Sequence, residues 1–255
     1  MAAETHAINP IEQFTVAPIV PIHIGRLDFS FTNSALYMLI AVAIVAILML
    51  IGASGTTGAP GRLQALAEMV YEFVAGMLRS AAGDHAGGFF PLVFTLFTFI
   101  LICNLVGLIP HSFSVTSHIV VTAALALTVF FTVIIVGVVK HGVRFFKLFV
   151  PSGVPIYILP LVVAIEIVSF LTRPMSHSVR LFANMLAGHI TLNVFGGFVV
   201  MLLGAGLATK ALAVLPFAMT IGLDALELLV AFLQAYVFAM LTCMYLNDAL
   251  HPGGH

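Results

Sequence analysis

The chain has 255 residues, 62% of them hydrophobic and only 7% charged, with a formal net charge of -1. A soluble domain carries roughly 25% charged residues, so this chain cannot clothe a globular surface and its solvent is largely lipid. The near-neutral balance excludes a basic face for nucleic acid. Ten histidines and two cysteines are scattered without metal-ligand spacing, so Cys103 and Cys243 read as packing residues and no metal or cofactor is expected.

Hydrocarbon offers backbone groups no water, which leaves helices or a closed barrel to span it. The apolar runs are long and continuous and lack the alternation of barrel strands, so the expected fold class is an all-α membrane protein.

Residues 1–28 carry Glu4, Glu12, Arg26, Asp28 and three prolines, and read as a polar arm retained in the chain, not a cleaved signal. Residues 29–61 contain no charge, and 34–51 suffice for one spanning helix. After a glycine-rich loop at 52–61, residues 62–80 place Leu63, Leu66, Met69, Val70, Phe73, Val74 and Met77 at helical spacing, with Gln64, Glu68, Glu72 and Arg79 opposite. That pattern predicts an amphipathic helix on the membrane surface or against a partner. Residues 89–110 and 119–139 are two further spans joined by a short polar stretch at 111–118. Lys140, His141, Arg144 and Lys147 follow, and by the positive-inside rule they place 140–147 in the cytoplasm and the amino terminus outside.

From Pro160 to Leu203 no loop interrupts the apolar sequence, although Pro174 lies inside it. Such a segment spans about 66 Å as a helix, against about 30 Å of hydrocarbon, so it is either two spans or one long, tilted helix. A glycine turn at 204–210 leads into the last apolar segment, 211–246, and a polar tail at 247–255 that is expected to fray. Five membrane helices and one amphipathic helix form a single domain, with no internal repeat.

Ionisable groups concentrate in the last two segments, where each costs at least about 2.5–3.5 kcal/mol on insertion scales. Glu166, Ser169, Arg173, His177, Arg180, Asn184, Gly188 and Thr191 recur at spacings of three and four, giving a stripe that should face protein or water. His189 points from the opposite side. Asp224, Glu227 and Gln234 form a second stripe. Folding the two segments back on each other about the glycine turn sets Gln234 level with Arg180, and Glu227 level with His189. Each group also has a bland reading. Arg180 could pair with Glu166 or Glu227, His189 and Glu227 could be a packing pair, and Asp224, Arg173 and His177 could be interfacial. Gly188, Gly196 and Gly197 read as close-packing positions.

The run Ser178-Val-Arg180-Leu-Phe-Ala-Asn184-Met-Leu-Ala-Gly188-His189, with Glu227 and Leu233-Gln234-Ala-Tyr236-Val-Phe238 downstream, resembles subunit a of the F-type ATP synthase. The resemblance implies a steeply tilted hairpin over residues 160–246, lying along a rotating ring of c subunits. It also implies association with the b-subunit peripheral stalk and residence in a bacterial inner membrane, with a periplasmic amino terminus and a cytoplasmic carboxy terminus. Carried over by position, Arg180 engages the ring carboxylate, and Asn184 and Gln234 are its polar neighbours. His189 and Glu227 line a periplasmic half-channel, and Glu166 belongs to the cytoplasmic exit. Many members place an acid where His189 stands and a histidine where Glu227 stands, so here the pair is exchanged. The implied function is proton translocation through two offset half-channels, coupled to ring rotation and ATP synthesis. No phosphate-binding loop is present, so nucleotide chemistry belongs to other subunits and this chain is no enzyme by itself. Two other classes fit the composition: a secondary transporter, which should show repeated halves and broken helices, and a purely structural membrane scaffold.

Overall fold

Uncharged runs rich in Leu, Ile, Val and Ala satisfy their backbones internally, and in the computed structural model they form helices throughout the membrane-spanning region. The structure describes residues 14–21, 23–24, 27–28, 30–53, 61–109, 112–142, 145, 149–150, 155 and 157–250. Helix α1 is Asn33–Ala53, α2 Arg62–Ala82, α3 Phe90–Gly107, α4 Ile119–His141, α5 Leu159–Gly204, α6 Leu207–Leu212 and α7 Val214–Leu250. All of these except α2 contribute to the five candidate spans expected, the last of which begins at Thr209 within the short α6. Arg144 and Lys147, which entered the orientation argument, lie outside the described residues.

Helix α5 runs unbroken for 46 residues through Pro174, which selects one helix over two spans. Its return is made at Gly206, whose φ of 139° is a conformation that side chains disfavour. The one addition to the expected elements there is α6, a helix of six residues inside the turn.

The core forms where α2, α3, α4, α5 and α7 meet, around Val74, Phe97, Val129, Leu181, Met185 and Phe238. Helix α1 is peripheral and buries only Ser34 and Ala41. The amphipathic pattern of α2 splits in the structure. Val74 and Met77 enter the core, whereas Leu63, Leu66 and Met69 are 55%, 46% and 67% exposed. The helix is wedged against α1, α3 and α7, so its buried face is set by three neighbours and not by a single flat surface.

The polar stretch at 111–118 and the start of the polar tail are both packed. Within 111–118, Phe113, Ser114, Val115, Thr116 and Ser117 are buried, the last three in a 3-10 turn. Thr116 donates to Asn104 Oδ1 at 2.8 Å, and Asn104 donates to the Ala231 carbonyl at 3.1 Å, tying this turn to α7. The expected fraying of the tail begins too early as well. Asn247 and Asp248 are helical, Ala249 and Leu250 are buried, and His141 Nε2 donates to the Leu250 carbonyl at 2.9 Å. Satisfying a carbonyl in the last turn lets α7 continue to Leu250.

In the amino-terminal arm, β1 (Pro18–Val20) pairs antiparallel with β4 (Phe31–Thr32), and β2 (His23–Ile24) with β3 (Leu27–Asp28). Asn33 anchors the arm: its Oδ1 accepts from the Ala17 N–H at 3.2 Å and its Nδ2 donates to the Thr15 carbonyl at 3.0 Å.

Candidate functional site

Helices α5 and α7 meet through polar side chains at three places, Arg173 with Asp248, Asn184 with Gln234 and His189 with Glu227. On α5 the face in contact with neighbours carries Phe170, His177, Ser178, Leu181, Met185 and His189, all buried. Arg180 and Asn184 lie off that face and are exposed. The polar stripe drawn on the helical wheel is therefore divided: His177 belongs to the protein interior and is no interfacial anchor, whereas Arg180 points away from the core. His189, half a turn from Arg180 by angle, falls on the buried side as that angle requires.

Arg180 forms no hydrogen bond or ion pair among the described residues. The two acids considered for it are engaged elsewhere. Glu166 Oε1 lies 3.9 Å from Arg173 Nη2. Glu227 Oε1 lies 3.4 Å from His189 Nδ1. Arg173 also makes a 2.9 Å ion pair with Asp248, and its guanidinium sits 5.0 Å from the Tyr245 ring centroid. Asp248 was not singled out from sequence, because nothing local marks a residue in a polar tail as the partner of one 75 positions earlier.

One turn beyond Arg180, Asn184 Nδ2 donates to Gln234 Oε1 at 2.9 Å. The level partner of Gln234 is thus Asn184, with the expected Arg180 a turn away. Gln234 is 5% exposed, and its amide is held where α7 packs on α5. Further along, Glu227 and His189 are 5% and 7% exposed. Both Glu227 oxygens and His189 Nε2 lack a hydrogen-bond partner among the described residues. Buried polar atoms with unused bonding capacity are uncommon, so this pair has donor and acceptor positions still open to a further partner.

Gly188 makes this pair possible. A Cβ at that position would lie 2.7 Å from Glu227 Oε1, so only glycine leaves room for the carboxylate in its present place. The expected role in close packing holds for Gly188 against a side chain; at Gly196 an added Cβ would meet nothing within 4 Å. A cleft of about 290 Å³ touches one member of each polar pair, its lining including Asn184, Gly188, Thr191, Leu223, Glu227 and Val230. At about 30 Å³ per molecule in the liquid, that volume accommodates a short file of waters. Phe14 of the amino-terminal arm reaches the same region, its ring centroid 6.1 Å from that of His189. Asp224 is exposed and outside the pair. No group of three or more metal-ligating side chains occurs among the described residues.

Fold and site together define an all-α class, multi-pass membrane protein, with strands only in its amino-terminal arm, whose two longest helices hold paired ionisable and amide groups beside an exposed arginine. The family model described as ATP synthase A chain matches residues 35–247. ATP synthase subunit a of Rhodopseudomonas palustris (strain BisB18) is 62% identical over 247 residues, covering 96% of this chain and 99% of the relative. The subunit a of Bradyrhizobium diazoefficiens is 62% identical over 251 residues, with 96% and 99% covered. That of Chelativorans sp. (strain BNC1) is 62% identical over 247 residues, with 97% and 99% covered. The chain belongs to the ATP synthase subunit a family.

Proposed function

We propose that this chain forms two offset half-channels beside a ring of c subunits, so that a proton crossing the membrane rides the rotor between them. Family membership supports the broader statement directly: this is a non-catalytic membrane subunit of a proton-translocating ATP synthase, acting as part of its stator. The observation that carries the finer reading is Arg180, exposed and without a hydrogen bond or ion pair among the described residues, on a face of α5 that it shares with exposed Ser176, Ala183, Asn184 and Ala187. A lone charge against lipid is costly, and its relief requires a second protein that brings an anion to this face. A c-ring carboxylate has that chemistry.

A guanidinium keeps its charge, so Arg180 attracts a deprotonated carboxylate without relaying a proton itself. It therefore acts as the barrier between the half-channels. An imidazole beside a carboxyl group offers two sites that can each take up and release a proton, which suits His189 and Glu227 to the periplasmic access path, entered past the cleft. Asn184 and Gln234 stand between that pair and Arg180. Glu166, with Arg173, lines the cytoplasmic exit. Helix α5 is about 69 Å long at 1.5 Å per residue, more than twice the hydrocarbon thickness, which favours a steep tilt of the hairpin 160–246 along the ring. In this reading residues 1–255 form one membrane domain in a bacterial inner membrane. The arm at 1–28 is periplasmic, the carboxy terminus is cytoplasmic, and the b-subunit stalk is a further partner.

The test is Arg180→Ala in the assembled complex, with ATP-driven proton pumping read in inverted vesicles. Pumping is expected to be abolished while hydrolysis by the soluble head persists. Coupled pumping at the normal rate would overturn the assignment.

A further inference from the structure

We infer that His177 and Ser178 are positioning residues for Arg180, fixing the rotation of α5 just beyond its proline. This inference rests on the reading of Arg180 as the barrier group. Pro174 has no N–H to donate to the Phe170 carbonyl, so the helix is weakest one and a half turns before the arginine. Arg180 is exposed and has no bond of its own among the described residues, so its direction depends on how the backbone beneath it is held. At a helix's outer radius of about 5–6 Å, each 10° of rotation moves a group by about 1 Å. Misplacement of that size can cost about 100-fold in a reaction that depends on alignment.

The first two polar residues after Pro174 with partners on other helices are His177 and Ser178. His177 Nε2 lies 3.2 Å from the Phe238 carbonyl. A carbonyl only accepts, so the ring carries its proton on Nε2 and donates. The imidazole also stands edge-on to the Phe238 ring at 4.0 Å and 83°. Ser178 Oγ lies 3.1 Å from Thr122 Oγ1 on α4. Thr122 donates its own hydroxyl proton to the Ile119 carbonyl at 3.1 Å, which leaves Ser178 to donate to Thr122.

These two anchors point in different directions. At 100° per residue His177 is about 60° from Arg180 around the helix and Ser178 about 160° from it. One reaches α7 and the other α4, so together they resist rotation in either sense. All three side chains are buried: His177 is 5%, Ser178 4% and Thr122 0% exposed. Before Pro174 the helix is held separately by Arg173 and Asp248, and after Arg180 by Asn184 and Gln234. The arginine therefore sits between clamps on a helix whose own hydrogen-bond ladder is interrupted.

The experiment compares His177→Leu, His177→Gln, Ser178→Ala and Ser178→Thr with Arg180→Ala in the assembled complex. Complex abundance, ATP hydrolysis and ATP-driven pumping are measured in inverted vesicles. His177→Leu is expected to lower pumping about ten-fold at unchanged abundance and hydrolysis, and Gln, which keeps an N–H donor, to restore it to within about two-fold. Gln as inactive as Leu would overturn positioning, since imidazole protonation would then be required. Normal pumping by His177→Leu with Arg180→Ala inactive would overturn the inference and leave the arginine reading standing. Normal pumping by Arg180→Ala would instead remove the reading beneath it. If His177→Leu fails to assemble, the Ser178 pair decides: loss with Ala and recovery with Thr supports the clamp, and normal pumping with Ala overturns it.

Discussion

Asn184 donates a 2.9 Å hydrogen bond to Gln234, joining the two long helices one turn from the exposed arginine. A neutral hydrogen bond of this kind contributes about 1 kcal/mol net, and removing one partner also leaves the other amide unsatisfied. The pair therefore links alignment of the hairpin to the chemistry beside it.

Gln234→Leu is expected to lower pumping by about five-fold, the equivalent of about 1 kcal/mol. The double variant Asn184→Leu with Gln234→Leu should lose less than the sum of the two single changes, because the bond is already gone. Pumping rates in vesicles for the four members of the cycle measure the coupling. Strict additivity would mean that the bond is idle.

His189 and Glu227 face each other at 3.4 Å. His189→Glu alone sets two carboxylates together, and Glu227→His alone sets two imidazoles together. Either single change is expected to lower pumping at least about ten-fold, since like groups at one site oppose each other's ionisation. The double exchange restores one acid and one base at the same depth and should recover most of the rate. A double variant no better than either single one would show that the residues act individually and not as a pair.

Gly188→Ala separates folding from function. Alanine in a helix interior is favoured over glycine by about 1 kcal/mol, so assembly should be unchanged or improved. Its Cβ would nevertheless lie 2.7 Å from Glu227 Oε1, and the flexible carboxylate must move away from its present place. Pumping is expected to fall about ten-fold through loss of alignment, with complex abundance on gels unchanged. Wild-type pumping in this variant would show that the carboxylate position tolerates the shift.

Much of the architecture was readable in the residues because lipid imposes a simple rule on long apolar runs. The turn about Gly206 and the pairing of His189 with Glu227 follow from spacing along two antiparallel helices, whereas the length of α5 left two spans and one helix equally open until the structure showed it continuous. Where contacts depend on several helices at once, periodicity failed. It could not say that Leu63, Leu66 and Met69 leave the core while Val74 and Met77 enter it. Nor could it join Arg173 to Asp248, His177 to the Phe238 carbonyl, or Phe14 to His189. Those partners lie 61 to 175 residues apart, and no local pattern encodes which neighbour a side chain will meet.

The arginine shows the division most clearly. Sequence by itself determined that Arg180 stands in an apolar helix beside a polar stripe, because charge density and the 100° helical period can be read from residue order alone. Only the tertiary structure decided that Arg180 points outward while His177 and His189 point inward. It also decided that Glu166 and Glu227 are taken by Arg173 and His189. The physical reason is that a helix's rotation about its axis is set by what packs on it, and that information is distributed over α4 and α7, not held in α5.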